Sequence, residues 1–319
     1  MLNAFMSPST RARVQQYGSL LVLVVILAIV AIAAPGLLRW RPLNTLFLDS
    51  APLMLVIVGL TIPILLGCLD LSVAALASFA AICGAMLAPS LGSFGGVLVV
   101  FGAAGIGALQ GYLIGRLQIP SFVMTLSALG IFKGLSLFLT GAATVGIPPG
   151  MVLYDGLAGR IGDVANTVII VLVIAALLQF VLRFTTLGRD FYAFGSSELA
   201  TYASGVRRDQ VRSIAFAISA ACAALAGLML ISQTKFANPT IADGMLLPAL
   251  VGVVVGGTAI SGGVGSVVSS LIGAVIAILI RVGVTLSGFP PSSQDIAFGV
   301  VILIAVALTT DRAKIGIVK

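Results

Sequence analysis

GSLLVLVVILAIVAIAAPGLL, residues 18–38, is a run of 21 residues without a charged side chain. As an α-helix, a run of this length reaches about 31 Å, enough to cross the hydrocarbon core of a bilayer. The run is therefore the first candidate membrane span. A cleavable signal peptide is the alternative, because Arg11 and Arg13 precede the run, although no clear small-residue cleavage site is present.

The rest of the chain repeats this pattern. Further apolar segments lie at residues 48–66, 71–88, 94–115, 119–139, 165–182, 213–232, 246–257, 266–284 and 296–308. Together with the first run, they predict an all-α polytopic membrane protein with about ten transmembrane helices. The segments at 246–257 and 296–308 are short, and only residues 67–70 separate the second span from the third, which indicates half-helices or tightly reversed pairs.

The composition supports this fold class and argues against several functions. The residues AVILMFWYC make up 60% of the 319 positions, with only 17 basic and 10 acidic side chains, whereas a soluble protein devotes about a quarter of its residues to charge. Histidine is absent, which removes the commonest metal ligand and the usual general base. Cys68, Cys83 and Cys222 lack paired spacing, so we interpret them as small core residues and expect neither a disulfide nor a metal site.

The basic residues predict the orientation of the chain. With a cytoplasmic N-terminal tail at 1–17 and ten crossings, eleven of the 17 Lys and Arg residues fall inside, four outside and two within spans, in agreement with the positive-inside rule. Both termini are then cytoplasmic. The net charge of +7 is not gathered into a basic patch, so no nucleic-acid partner is expected.

Two connections are long enough to have structure of their own. Residues 140–164, on the outside, are rich in Gly and Pro and predict an irregular cap. Residues 183–212, on the inside, carry five arginines. Within them, 196–204 has helix-forming composition and is followed by Gly205, which predicts a short cytoplasmic surface helix.

Three charged residues lie in or beside apolar segments. For Asp70, in GCLDLS (67–72), capping of the next helix or pairing within the protein is favoured over contact with a substrate or gate. Lys133 and Arg281 have no acidic neighbour at helical spacing. Lys133 is a weak candidate for the substrate pathway, and Arg281 lies where it can snorkel toward an interface. The chain has no ladder of carboxylates of the kind a proton pump uses.

Glycine forms two patterns. Gly107, Gly111 and Gly115 recur every fourth residue and predict a groove on one helix face that another backbone can approach closely. The segment 256–266, GGTAISGGVGS, is also glycine-dense, but the chain contains no Gly-Lys dipeptide and therefore no Walker phosphate-binding loop. We expect this segment to form a sharp turn between two helices on the cytoplasmic side.

Several ordered motifs resemble the membrane subunits of ribose-type bacterial ABC importers, a family of monosaccharide permeases with relatives for other polar nutrients. The resemblance covers most of the chain after the first span. Its motifs are GCLDLSV (67–73), IPSFVMTL (119–126) followed by Gly134, LGRDFYAFGSSELATYASG (187–205), VVVGGTAISGGVGS (253–266) and the closing segment 299–308.

The chain also departs from the family pattern. The family usually has glycine where Cys68 stands, asparagine near Gln110 and in place of Ser197, and an acidic residue where Leu246 and Pro248 now lie. These departures leave the identity of the solute open. The missing acid also fits a chain that works beside a non-identical partner permease.

The resemblance implies one permease domain over 1–319 in the bacterial inner membrane, paired with a second permease subunit as a homodimer or heterodimer. A cytoplasmic ABC ATPase, which itself binds ATP and Mg, docks beneath, and a periplasmic or lipid-anchored binding protein delivers the solute. The chain is then not an enzyme and binds no cofactor or metal. By resemblance, 198–205 is the coupling helix of the loop 183–212.

The candidate site residues fall into three groups. The ATPase-coupling candidates are Gly195, Ser196, Ser197, Glu198, Ala200, Ala203 and Gly205. The candidates for a gate or structural turn are Asp70, Ser72, Gly256, Gly257, Gly262 and Gly263. The weak candidates for the substrate pathway are Gln110, Thr125 and Lys133.

The predicted function is ATP-driven import of a neutral polar solute, such as a monosaccharide or a related polyol, by alternating access. Few charges lie in the spans, and a transporter with neither its own ATPase nor a proton relay must borrow its energy. The alternative is an ion- or proton-coupled secondary transporter, which needs ionisable residues near the membrane midplane.

Overall fold

The computed structural model of the protein describes residues 8–290 and 292–309. The α-helices of this part of the chain are α1 (Pro8–Ala33), α2 (Trp40–Leu65), α3 (Val73–Leu117), α4 (Ser121–Thr140), α5 (Val152–Ala158), α6 (Asn166–Phe184), α7 (Thr186–Ser196), α8 (Glu198–Ala203), α9 (Arg208–Thr234), α10 (Leu246–Val255), α11 (Val267–Leu286) and α12 (Ser293–Thr309). Two antiparallel pairs of two-residue strands lie in the connections: β1 (Val145–Gly146) with β4 (Phe236–Ala237), and β2 (Arg160–Ile161) with β3 (Val164–Ala165).

Helix length and composition define a membrane protein. Six helices of the described residues, α2, α3, α4, α6, α9 and α11, are long and apolar enough to cross a bilayer. Shorter apolar helical stretches lie at 19–32, 243–255 and 293–305. The chain is therefore an all-α polytopic membrane protein, as the sequence predicts.

Helix α3 is two helices joined by a sharp reversal. Its 45 residues would extend about 68 Å if straight, more than twice the thickness of the hydrocarbon core. Gly92 has φ 55° and ψ −134°, outside helical geometry, and a Cβ atom added to Gly95 would lie 2.9 Å from Cβ of Leu87. In a straight helix these two residues would be about 12 Å apart. The two arms correspond to the segments predicted at 71–88 and 94–115.

The glycine groove predicted on α3 contacts α9. A Cβ atom added to Gly107 or Gly111 would overlap backbone carbonyl oxygens of α9, and one added to Gly115 would lie 2.6 Å from Cα of Asp209. The two backbones thus touch over about two helical turns. The predicted role of these glycines in close helix packing is confirmed.

Helices α2 and α9 form the centre of the bundle. Most residues of α2 from Ser50 to its end are buried, and a Cβ atom added to Gly59 would lie 2.5 Å from Cβ of Cys222 on α9. Cys68 and Cys222 are buried, Cys83 is partly buried, and all three thiols are free. Their interpretation as small core residues fits this placement.

Some boundaries differ from the predicted ones. Helix α1 already runs through the predicted tail from Pro8, and it ends at Ala33 because Pro35 opens a 3-10 helix. The segment 183–212 is mostly helical rather than a loop with one short helix, because α7 precedes α8. Residues 1–7 and 310–319, with the basic C-terminal end that the predicted orientation places in the cytoplasm, lie outside the described residues.

Replacing Gly111 with alanine should destabilise the protein, because the new Cβ atom must push α3 and α9 apart, and overpacking of this kind costs about 1–3 kcal/mol. Gly105→Ala is the matched control on the same helix. Nothing lies within 4 Å of a Cβ atom at that position, and alanine favours a helix by roughly 0.5–1 kcal/mol over glycine. Thermal unfolding in detergent measures both variants. Equal midpoints for the two would contradict the close α3–α9 contact.

Candidate coupling and gating site

Three segments that are distant in the sequence meet backbone to backbone. We call this contact the glycine junction; it consists of residues 65–67 after α2, 195–196 at the end of α7, and 262–263 in the turn before α11. The N–H of Gly263 donates to the carbonyl oxygen of Leu65 at 2.8 Å. A Cβ atom added to Gly195 would overlap that same oxygen. A side chain at Gly195 is therefore incompatible with this approach.

The backbone conformation of the junction also requires glycine. Gly67, Gly262 and Gly263 have φ angles of 73°, 83° and 76°, in the left-handed region that side chains disfavour. The N–H of Ala259 donates to the carbonyl oxygen of Val264 at 2.9 Å and closes the loop that carries two of these glycines. The predicted sharp turn between α10 and α11 is thus confirmed.

Helix α7 holds this turn by a second contact. The hydroxyl group of Tyr192 donates to the carbonyl oxygen of Gly265 at 2.8 Å. A Cβ atom added to Gly263 would lie 2.9 Å from the backbone nitrogen of Ser196. The turn therefore rests directly on the helix that leads into α8.

The double glycine Gly256–Gly257 serves a different contact. It follows the end of α10, and Gly257 has φ 100°. A Cβ atom added to Gly256 would lie 2.8 Å from Cα of Ser270 in α11. Gly256 therefore allows α10 and α11 to pack closely, while Gly257 provides the left-handed backbone conformation that follows α10.

Asp70 joins the start of α3 to α9. Its side chain is buried, with 2% of its surface exposed. One carboxylate oxygen accepts hydrogen bonds from the N–H (3.0 Å) and the hydroxyl (2.7 Å) of Ser72, and the other accepts from the hydroxyl of Ser219 at 2.9 Å. The pKa of the Asp70 carboxyl group is raised above its ordinary value, because the effect of burial exceeds the opposite effect of the hydrogen bonds from Ser72 and Ser219. Both carboxylate oxygens of Asp70 therefore accept hydrogen bonds from groups of the same chain.

The short helix α8 is held at its start by local hydrogen bonding and ion pairing. The hydroxyl of Ser197 accepts from the N–H of Ala200 at 3.3 Å and caps the helix. Glu198 turns inward and pairs with Arg212 at 2.8 Å and with Arg208 at 3.6 Å. We call Glu198, Arg208 and Arg212 the arginine cluster.

The other coupling candidates lie on the free side of α8. Ala200 and Ala203 are exposed, and so is Leu199, with 77% of its surface accessible. Gly205, with φ 90°, follows the helix. Leu199 and the two alanines together form a small exposed apolar surface on this helix.

The three weak pathway candidates have different surroundings. Gln110 is buried beside the α3–α9 groove. The hydroxyl of Thr125 donates to the carbonyl oxygens of Ser121 at 3.0 Å and Leu69 at 3.3 Å, and its side chain is buried. Lys133 instead forms a half-exposed ion pair with Asp243 at 2.8 Å.

Several contacts at the site escape sequence reasoning. Ser219, Tyr192 and Asp243 bind partners at least 73 residues away along the chain. The local spacing of residues therefore does not predict these contacts. Arg208 and Arg212 offered a signal, because residues four apart share one face of a helix. Two buried or partly buried arginines on one helix face need hydrogen-bond acceptors. Glu198, the acidic residue ten positions before Arg208, supplies them.

The fold and the site together define a class of protein. It is a polytopic helical membrane protein in which a glycine-rich turn lies against α7, next to the short helix α8. A family model described as "Branched-chain amino acid transport system / permease component" matches residues 42–306. The chain belongs to this family.

Several relatives of the chain are named as import permeases. The chain is 32% identical to the ribose import permease protein RbsC of Escherichia coli (strain K12) over 95% of this chain and 96% of the relative. It is 33% identical to RbsC of Bacillus subtilis (strain 168), over 94% of both chains. It is 30% identical to the autoinducer 2 import system permease protein LsrC of Photorhabdus luminescens, over 86% of this chain and 83% of the relative. No solved structure matches the chain.

Replacing Asp70 with alanine should reduce the yield and stability of folded protein, because two hydroxyl groups and one N–H lose their acceptor, at about 1–3 kcal/mol for each buried group left unpaired. Asp70→Asn keeps an oxygen acceptor and should retain most of the stability. Ser219→Ala removes one hydrogen bond and should be intermediate. Size-exclusion profiles and thermal unfolding measure the series. A well-folded Asp70→Ala protein with altered solute selectivity would favour a direct role in the pathway.

Proposed function

We propose that the chain is the membrane-spanning subunit of an ABC importer that moves a neutral polar solute, a monosaccharide or related polyol, into a bacterium. The observation that carries this proposal is the similarity to ribose permeases over nearly the full length of both chains. The scarcity of charge in the spans agrees with a neutral cargo, because a charged solute needs opposite charges along its path.

We propose ten crossings of the inner membrane with both termini in the cytoplasm. The two arms of α3, together with α1, α2, α4, α6, α9, α10, α11 and α12, supply the ten segments. This arrangement leaves α7 and α8 inside, with their arginines, in agreement with the positive-inside rule. It leaves residues 140–164, with α5 and the short strands, outside as the surface for a binding protein.

In this function α8 is the coupling helix. Its exposed surface of Leu199, Ala200 and Ala203 fits a groove of a separate ATPase, which itself binds ATP and Mg. When the ATPase subunits close, they displace α8, and α7 carries the displacement to the glycine junction. The junction passes it to the segments that lead into α3 and α11. ATP drives this change because it binds the closed ATPase more tightly than the open one.

The ion pair of Lys133 and Asp243 supports a water-filled pathway beside α4. Both side chains are partly exposed, and charged groups within a bundle face water or protein rather than lipid. A second permease subunit, identical or different, would enclose this side of α4. The solute would then pass between the two subunits, past Lys133.

An ion- or proton-coupled secondary transporter is less well supported. Such a transporter needs ionisable groups that change partners near the midplane. In the described residues Asp70 is bound by two serines, and Lys133 is bound by Asp243. The relatives reported above are named as permeases for import.

Proteoliposomes test the proposed energy source. Liposomes should contain the chain, its partner ATPase and, outside, the binding protein loaded with the solute that co-purifies with it. We expect the loaded binding protein to raise the ATPase rate several-fold and solute to accumulate only with ATP. Accumulation driven by an ion gradient, in liposomes without the ATPase, would establish the secondary transporter instead.

Ala200→Arg should release the ATPase during co-purification, because a long charged side chain cannot enter a groove that accepts an alanine. Val152→Arg is the control. Val152 is also exposed and helical, but it lies in the segment that we assign to the outside, so the ATPase should stay bound. Retention of the ATPase by Ala200→Arg, or its loss in Val152→Arg, would contradict the assignment of α8 or of the topology.

A further inference from the structure

A cavity of about 610 Å³ lies beside α8. Its wall is formed by residues 67–69, the connection between α3 and α4, the first residues of α8 and the start of α9. Glu198, Arg208 and Arg212 of the arginine cluster all line it. The cavity is therefore large enough for a small ligand and shares its charged wall with the anchor of α8.

The charge of this wall is positive. Two guanidinium groups face one carboxylate, and the remaining lining residues are polar but neutral or apolar. Cys68 adds no negative charge, because burial raises the pKa of its thiol and outweighs the opposing influence of Arg212. An anion is the ligand that such a cavity favours.

The two arginines also retain donors without acceptors. Arg212 donates to Glu198 at 2.8 Å and to the carbonyl oxygen of Ile114 at 3.4 Å. Arg208 is 3.6 Å from Glu198 and lies over the ring of Tyr202 at 4.0 Å. The Nε atoms of both arginines are nevertheless buried and have no hydrogen-bond partner. Because these two Nε atoms have almost no accessible surface, an acceptor-rich ligand in the cavity would instead bind the terminal nitrogens of the two side chains, which keep 19% and 12% of their surface exposed.

The apolar part of the cavity wall indicates which class of anion fits. Ile119, Phe122, Leu199 and Ile260 supply apolar surface, and Ser121 supplies a hydroxyl. A phosphate group has several acceptor oxygens for paired guanidinium groups, and its ester carbon chain can lie against the apolar wall. A free sulfate or chloride ion would leave that wall uncovered.

We propose that this cavity binds a phosphate ester through Arg208 and Arg212. The ester is either a small phosphate monoester from the solution or the headgroup of an anionic phospholipid. An occupant competes with Glu198 for both arginines and loosens the start of α8. This regulatory consequence rests on the proposed coupling role of α8, whereas the binding itself does not.

Binding is measured on the full-length chain without the ATPase, so its outcome is independent of the proposed transport function. For the soluble ligand, glycerol 3-phosphate and inorganic phosphate are titrated into the chain in nanodiscs of phosphatidylcholine. For the lipid, native mass spectrometry of the detergent-purified chain counts retained phosphatidylglycerol against phosphatidylcholine.

Arg208→Gln is the principal variant, because it removes one guanidinium but leaves the shorter pair of Glu198 and Arg212 intact. We expect it to weaken binding at least about tenfold, the loss of one charge-assisted contact. Arg208→Lys should restore part of the affinity. Arg116→Gln is the control, because Arg116 is an exposed basic residue at the end of α3 that does not line the cavity. Thermal unfolding verifies that each variant folds.

Saturable binding of glycerol 3-phosphate that is lost in Arg208→Gln and kept in Arg116→Gln supports the soluble ester. Retention of about one phosphatidylglycerol with the same dependence supports the lipid. The proposal is overturned if the wild-type chain binds neither, or if Arg208→Gln and Arg116→Gln behave alike.

Discussion

The close approach of three backbones at the glycine junction is the constraint on which the rest of the site depends. A hydrogen bond between Gly263 and Leu65 joins the turn before α11 to the end of α2, and Gly195 fits between them only because it has no side chain. Packed groups at this distance cannot slide independently. Movement of α7 therefore has to move the entrances to α3 and α11 as well.

Helix α9 anchors this junction to the bundle. Its start carries Arg208 and Arg212, which hold α8. Its middle offers Ser219 to the carboxylate of Asp70, and its backbone fills the glycine groove of α3. One helix thus connects the surface that is assigned to the ATPase with the segment that opens α3. A permease that is driven by a separate ATPase subunit requires such a continuous connection.

Much of this architecture is visible in the sequence, because membrane helices and glycine contacts leave local patterns. The apolar segments, the groove at Gly107, Gly111 and Gly115, and the turn at 256–266 all follow from spacing. Pairs such as Asp70 with Ser219 and Lys133 with Asp243 do not, because tertiary packing brings them together from 149 and 110 residues apart. Helix α7 is not predicted from the sequence for a related reason. Phe191 and Phe194 form its buried face, and the sequence alone does not show what they pack against.

The distance between α8 and the turn before α11 tests the rigid junction most directly. Spin labels at Ser204, the exposed residue that follows α8, and at Val264, with the three native cysteines replaced, report this distance by pulsed electron resonance in the permease–ATPase complex. The account predicts a narrow distribution whose maximum is the same without nucleotide and with ATP bound, while the distance from α8 to the corresponding helix of the proposed second permease subunit changes. A shift of several ångströms between Ser204 and Val264 on binding ATP would show that α8 moves without the turn, and would contradict the account.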